Sequence, residues 1–223
     1  MLKVAPGQRL LIACGFSICG AAAVAAVDGV ADVDEEEVAS SVASSVAQVV
    51  LFGTAMIPVI PLLSRLAGLS EHQAGLWAGG SIDEVAQVVA AGGLVSAGAL
   101  ATAVVVKLAR VLMLAPVLTL LAIRRRRSHG GGRAGAHRPP LVPLFVVAFL
   151  ACAVLRTTGR VPSWALSGAH VAQTALLTAA MFALGCGVHV ASLRRLGGRP
   201  LALAFLSPVV VATIALAGAL LAG

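Results

Sequence analysis

The sequence predicts an all-α membrane protein with about seven transmembrane helices. Of the 223 residues, 59% are hydrophobic and 11% are charged, and the mean hydropathy is +1.00. A soluble domain is about a quarter charged, and a disordered chain has low hydrophobicity, so both classes are excluded. Because a spanning helix uses about 20 residues, this length accommodates roughly seven spans. The apolar residues lack the two-residue alternation of an outer-membrane barrel.

Seven apolar segments, numbered one to seven, can be drawn along the chain. They cover approximately residues 10–27, 42–63, 74–97, 98–123, 141–155, 169–191 and 200–222. The acidic run Asp28–Glu37 follows segment one, and segment two ends at Pro58 and Pro61. The hydrophilic linker Arg124–Pro140 separates segment four from segment five.

Loop arginines predict the orientation of these segments. The stretch Arg124–Arg138 contains six arginines and no acidic residue, and cytoplasmic loops are enriched in Lys and Arg. The linker is therefore expected in the cytoplasm. Alternation along the chain then places the N-terminus, with Lys3 and Arg9, in the cytoplasm and the acidic run outside. The prediction is a multi-pass protein of the cell membrane.

Segment one contains a pattern that favours an interrupted helix. Gly15 and Gly20 flank Ser17 in the middle of the apolar stretch. A break at this depth exposes backbone N–H and C=O groups, which is tolerated only where protein or a water-filled cavity satisfies them. The alternative is a face of small residues at which two helices pack closely.

Segment three is the most polar of the seven. Its polar side chains are Ser81, Asp83, Glu84 and Gln87, and Gly79-Gly80 directly before them suggests the opening of a half-helix. Carboxylates inside a membrane are costly and usually face a cavity or a partner. The alternative is a helix end at the membrane surface, with solvated acids and Ser81 as the N-cap.

Segment four carries two cations three residues apart, Lys107 and Arg110. Their natural partners are Asp83 and Glu84 on the preceding segment. Such a buried pair is either purely structural or part of a proton or anion path.

Motifs for soluble chemistry are missing from the sequence. It contains no Walker A motif, no Gly-x-Ser-x-Gly elbow, no HExxH and no dinucleotide fingerprint. The cysteines have no metal-ligand spacing; they are Cys14, Cys19, Cys152 and Cys186. The net charge of +7 comes from loop residues. We therefore expect no enzyme, no cofactor, no metal and no nucleic-acid partner.

Several strings resemble the YeiH-like membrane proteins, a family usually labelled sulfate exporters. Leu11–Val24 resembles the family signature G-[TS]-S-I-C-G-A-[SA]-A, and Gly80–Gly92 resembles G-S-[IV]-H-E-V-A-Q-V-V-A-A-G. Shorter similarities cover Glu35–Glu37 with Leu51–Thr54, Lys107–Pro116 and Ala180–Gly185. The sequence departs from the family pattern at Asp83, where the family has His, and at Phe16, where it has a small hydroxyl residue.

The resemblance implies two inverted five-helix repeats, as in the bile-acid symporter and sodium–proton antiporter group. Residues 1–63 then correspond to the last two helices of the first repeat, and residues 74–223 to the second repeat. The chain looks like an N-terminally truncated member. By the same resemblance, segments one and six are broken helices that cross near Ser17 and Gly185.

The favoured function is secondary transport or export of small anions, with sulfate or an organosulfonate implied by the resemblance. One alternative is a cation- or proton-coupled antiporter with Asp83 and Glu84 at the ion site, and another is a truncated, non-transporting membrane remnant. The partners are the lipid bilayer and a small anion, with a homodimer left open. Glu84 is the preferred functional acid because it matches the family block. The candidate substrate- or ion-binding residues are Gly15, Ser17, Gly20, Ser81, Asp83, Glu84, Gln87, Lys107, Arg110 and Gly185.

Overall fold

The computed structural model describes residues 6–28, 35–128, 144–187 and 198–222, and the regular elements in these ranges are all α-helices. We number them α1 to α10 in chain order. Their bounds are α1 Pro6–Ser17, α2 Ala21–Asp28, α3 Glu35–Leu66, α4 Glu71–Ser81, α5 Val85–Val95, α6 Ala97–Leu112, α7 Leu114–Ser128, α8 Leu144–Thr157, α9 Ser163–Gly187 and α10 Gly198–Ala222.

Three stretches of the described residues are long and apolar enough to cross a membrane. They are Ser44–Leu66, Ala97–Leu121 and Pro200–Ala222, which correspond to segments two, four and seven. The predicted all-helical membrane class is confirmed, whereas a count of seven spans remains a prediction. Segments one and three are each divided into two shorter helices, and the described part of segment five is the 14-residue α8.

Two helices extend beyond the apolar segments that the sequence predicts. Helix α3 begins at Glu35, inside the acidic run, and continues through Pro58 and Pro61 to Leu66. Acidic residues stabilise the first turn of a helix through its dipole. Neighbouring helices and local adjustments make proline tolerable inside membrane helices. Similarly, α7 runs to Ser128, so the first arginines of the predicted linker are helical.

The core is built around the two divided segments. Helix α4 packs against α6 and α10, and α5 packs against α6 and α3. One apolar cluster joins Ile60, Trp77, Ile82 and Val88. A second surrounds α1 and α2 and includes Leu114 of α7.

Close packing of α4 against α6 depends on glycines. A Cβ atom on Gly75 would lie 2.7 Å from the carbonyl oxygen of Ala99, and one on Gly79 would collide with the carbonyl oxygen of Ala103. Small residues four apart allow two helix backbones to approach closely. This contact fixes the distance between α4 and the cations that α6 carries.

Candidate functional site

Segments one and three are both interrupted for three residues. Residues 18–20 separate α1 from α2, and residues 82–84 separate α4 from α5. Gly20 adopts φ +69°, a left-handed conformation that glycine adopts without steric cost. The predicted break in segment one is therefore present. The break in segment three follows Gly79-Gly80 by two residues and contains no glycine.

The two breaks lie against each other. The side chain of Glu84 packs on Gly20, where an added Cβ would lie 2.6 Å from Glu84 Cγ. The amide of Ala21 donates a hydrogen bond to Glu84 Oε1 over 3.4 Å. Glu84 therefore places its carboxylate at the N-terminal end of α2, where the helix dipole favours negative charge.

Arg110 binds the ends of both half-helices that precede the breaks. Its guanidinium donates to the carbonyl oxygens of Phe16 at 2.9 Å and Ser17 at 3.3 Å, at the end of α1. It also donates to the carbonyl oxygens of Gly80 at 2.8 Å and Ile82 at 3.1 Å, at the end of α4. A cation at a helix C-terminus opposes the negative end of the dipole.

Lys107 makes a second bridge between the two breaks. Its side chain is fully buried. Its Nζ donates to the carbonyl oxygens of Ile18 at 2.8 Å and Ile82 at 3.0 Å. These carbonyls have lost their helical partners because the helices stop, and an unpaired buried carbonyl is costly. Lys107 and Arg110 therefore stabilise the interruptions themselves.

The two carboxylates of segment three have different environments. Asp83 is 0% exposed, and both of its carboxylate oxygens lack a hydrogen-bond partner among the described residues. Its Oδ1 lies 4.0 Å from Nη2 of Arg110. Glu84 is 7% exposed and accepts the amide of Ala21. The expectation that the cations of segment four pair with these acids holds for Arg110 and Asp83, whereas the hydrogen bonds of Lys107 go to backbone carbonyls.

Gln87 extends the polar region toward α3. Its Nε2 donates to the hydroxyl of Thr54 over 3.3 Å, while its Oε1 is buried without a partner among the described residues. The amide group packs directly on Gly53, where a Cβ would collide with it. Closer to the start of α3, the buried side chains of Ser45 and Gln48 also contain polar atoms without a hydrogen-bond partner among the described residues.

The remaining candidate residues have simpler roles. Gly15 is a packing position, because a Cβ there would lie 2.9 Å from Val24 and 3.0 Å from Val49. Ser17 contributes its carbonyl to Arg110, and its side chain is exposed. The hydroxyl of Ser81 donates to the carbonyl of Trp77 within α4.

The break in segment one lies against the break in segment three, as the contacts of Lys107 with Ile18 and Ile82 show. The resemblance predicted a crossing with segment six near Gly185 instead. Gly185 lies in α9, which runs without interruption to Gly187. The break predicted near Gly185 therefore does not occur in the described part of segment six.

Sequence reasoning did not identify Gly53 and Thr54 as neighbours of Gln87, or Gly75 as a contact of α6. The four-residue spacing of Gly75 and Gly79 is a signal that could have revealed the α4–α6 contact. Gly53 and Thr54 carry no comparable pattern, because their role depends on the side-chain position of a residue on another helix.

Two interrupted helices that meet at buried charges define a polytopic helical membrane protein with a polar site inside its bundle. The model of the family described as conserved hypothetical protein 698 matches residues 1–204. The chain belongs to this family, and the resemblance to YeiH-like proteins is confirmed.

Several relatives are named as membrane proteins. Over 221 residues the chain is 56% identical to a UPF0324 membrane protein of Corynebacterium glutamicum. The aligned residues make up 99% of this chain and 63% of that protein. It is 39% identical over 220 residues to a UPF0324 membrane protein of Bradyrhizobium diazoefficiens, and the aligned residues make up 97% of this chain and 61% of that protein. It is 38% identical over 196 residues to the inner membrane protein YeiH of Escherichia coli, and the aligned residues make up 87% of this chain and 55% of that protein. The chain therefore spans less than two thirds of these relatives. No solved structure matches it significantly.

Proposed function

We propose that this chain forms the core of a secondary transporter for small anions, and that the crossing of the two breaks is its translocation site. The observation that carries the proposal is the meeting of Gly20 and Glu84 between four half-helices, with Lys107 and Arg110 beside them. Interrupted helices inside a membrane are tolerated where they are buried in protein or line a cavity. In transporters they form the sites of substrates and coupling ions.

The helix ends at the crossing support an anionic substrate. Helices α2 and α5 both begin there, and helix N-termini attract anions through their free N–H groups and dipoles. Glu84 is the N-cap residue of α5, yet its side chain makes no capping hydrogen bond to that helix. The specific choice of sulfate or an organosulfonate rests on the resemblance to sulfate exporters.

Uptake of labelled sulfate and of a small labelled sulfonate into proteoliposomes tests this proposal. The purified chain should transport at least one of them faster than protein-free vesicles. Glu84→Gln should insert normally but lose transport, because it weakens the contact of the Glu84 carboxylate with the amide of Ala21 that positions the two breaks. Glu71→Gln is the matched control, since Glu71 is exposed at the start of α4. Transport of neither anion by this chain would contradict the proposal.

The assay should include the Corynebacterium glutamicum relative, because this chain spans 63% of its length. Anion transport by the longer protein alone would support the alternative that this chain is a non-transporting membrane remnant. Transport by both would assign the activity to the shared residues.

A cation- or proton-coupled antiporter is the second candidate, and the hydrogen-bonding state of Asp83 favours it. Neither oxygen of this buried carboxylate has a hydrogen-bond partner among the described residues. Intramembrane acids of this kind mark ion pathways and proton relays. Imposed pH and sodium gradients separate the candidates: an antiporter exchanges ions across the membrane without any added anion substrate, whereas an anion transporter requires one.

A further inference from the structure

We propose that Asp83, and not Glu84, is the group that binds and releases a proton at the crossing, and that the proton is the coupling ion for anion transport. This inference rests on the proposed function. It assigns different roles to two acids that are adjacent in the sequence, and it replaces the sequence-based preference for Glu84.

The first argument is the hydrogen-bonding state of Asp83. An ionised carboxylate only accepts hydrogen bonds, and a buried one normally accepts several. Asp83 accepts none from the described residues, and it is fully buried. Binding of a proton removes the buried charge and gives the side chain an O–H donor. The neutral acid therefore suits this position better than the carboxylate does.

The second argument is that the neighbouring cations are already engaged. Arg110 comes within 4.0 Å of Asp83, but its N–H groups point to carbonyls of the interrupted helices, including those of Phe16 and Gly80. Lys107 donates to two further carbonyls in the breaks. Both cations are therefore held by helix ends, so Asp83 can gain or lose a proton without releasing either of them.

The third argument is the contrast with Glu84. Its carboxylate accepts the amide of Ala21 and its methylene groups pack on Gly20. The negative charge of Glu84 stabilises the start of α2. Protonation there would weaken a contact that holds the two breaks together. Glu84 is thus a positioning residue, whereas Asp83 is the acid whose oxygens accept no hydrogen bond from the described residues.

A proton fits this site better than a metal cation. The charged groups around Asp83 are Glu84 on its own segment and Lys107 and Arg110 on α6. Cys19 in the opposite break lies near the two cations. A bound metal ion would lie beside the cationic side chains of Lys107 and Arg110. Within the part of the chain that the structure describes, no group of three His, Cys, Asp or Glu side chains is arranged to hold a metal.

The charge balance at the crossing gives the coupling. With Asp83 ionised, its charge and that of Glu84 balance those of Lys107 and Arg110. When a proton from the surrounding water binds Asp83, the crossing gains one net positive charge, which strengthens the binding of an anion to the nearby N-termini of α2 and α5. Loss of the proton weakens that binding. Proton and anion therefore travel in the same direction.

Infrared spectroscopy of the full chain in lipid nanodiscs tests proton binding without any need for transport. Exposed carboxylic acids are ionised above about pH 6. We expect the C=O stretching band of a protonated acid to persist above this pH, to be absent from Asp83→Asn, and to remain in Glu84→Gln and Glu71→Gln. The wild-type spectrum decides even if a variant folds poorly: absence of this band between about pH 6 and pH 8 would overturn the proposal. A band that disappears in Glu84→Gln but remains in Asp83→Asn would also overturn the proposal.

Flux measurements then separate this inference from the proposed function. In proteoliposomes, an inward pH gradient should accelerate anion uptake by the wild type, whereas the uptake rate of Asp83→Asn, whatever its size, should not respond to the gradient. Uptake that ignores the gradient in the wild type overturns the inference and leaves anion transport standing. Absence of uptake in every condition overturns the proposed function, and the infrared band then decides only whether Asp83 holds a proton.

Discussion

Glu84 fills the space beside the Cα atom of Gly20, so closely that a Cβ at residue 20 would lie 2.6 Å from Glu84 Cγ. The two residues belong to different breaks and are 64 positions apart in the sequence. Position 20 therefore requires glycine for two reasons: its backbone is left-handed, with φ +69°, and Glu84 occupies the space that a side chain would need. The crossing depends on both.

The first prediction concerns this contact. Gly20→Ala should destabilise the protein by about 2–4 kcal/mol, because a left-handed non-glycine residue costs about 1–2 kcal/mol and the collision with Glu84 adds to it. Gly68→Ala is the matched control, since Gly68 has φ +65° and nothing lies within 4 Å of an added Cβ. It should show the conformational cost alone. Thermal unfolding followed by tryptophan fluorescence measures both, and equal losses in the two variants would contradict the contact.

The second prediction concerns the contact between α4 and α6. Gly79→Ala should destabilise by about 1–3 kcal/mol, because its Cβ would collide with the backbone carbonyl of Ala103 and force the helices apart. Gly93→Ala, on exposed α5 surface with no atom within 4 Å, should instead stabilise by about 0.5–1 kcal/mol. The same unfolding assay compares them. A stabilising effect of Gly79→Ala would show that α4 and α6 are not so close.

Long apolar segments could be predicted from the sequence because the membrane sets their length. Segments two, four and seven are predominantly apolar over more than 20 residues, and each appears as a candidate span. The break in segment one could also be predicted, since Gly20 supplies the backbone freedom that an interruption requires. These features depend on local composition alone.

The partner of that break could not be predicted, because it depends on packing between distant helices. The resemblance indicated Gly185, whereas the structure brings Glu84 to Gly20. The hydrogen bonds of Lys107 were also missed. Its acceptors are backbone carbonyls of Ile18 and Ile82, and a carbonyl that accepts a hydrogen bond leaves no mark in the sequence. Charge counting alone therefore assigned Lys107 to a carboxylate.

The third prediction concerns orientation in the membrane, which the arginine-rich stretch Arg124–Arg138 predicts. In a background with the four native cysteines replaced by alanine, Ser128→Cys should react with a membrane-impermeant thiol reagent only after the cells are opened. Ser163→Cys, at the start of α9, should react in intact cells. The two positions serve as controls for each other. Labelling of residue 128 from outside intact cells would reverse the predicted topology.

The last prediction concerns whether Lys107 serves a carboxylate or the helix ends. Lys107→Met removes a donor from the carbonyls of Ile18 and Ile82. Ile82 keeps its hydrogen bond from Arg110, whereas the carbonyl of Ile18 is left without a side-chain donor among the described residues. A buried acceptor without a partner costs about 1–3 kcal/mol, and we expect a loss of that size. Arg65→Met is the matched control: Arg65 also donates to a carbonyl, that of Leu94 at 2.8 Å, but it is exposed. Water can replace that bond, so the loss should be below about 1 kcal/mol.

Combining Lys107→Met with Glu84→Gln then separates the two explanations. If Lys107 were mainly the counter-ion of Glu84, removing both charges would leave a protein more stable than Lys107→Met alone, because no uncompensated buried charge would remain. The observed hydrogen bonds predict the opposite. The carbonyl of Ile18 loses the donor Nζ of Lys107 whether or not Glu84 carries a charge, so the double variant should be no more stable than Lys107→Met. The thermal unfolding of the two single variants and the double variant, measured in the same lipid, gives the coupling free energy directly. A rescue by Glu84→Gln of more than about 1 kcal/mol would show that the ion pair, and not the helix ends, holds Lys107 in place.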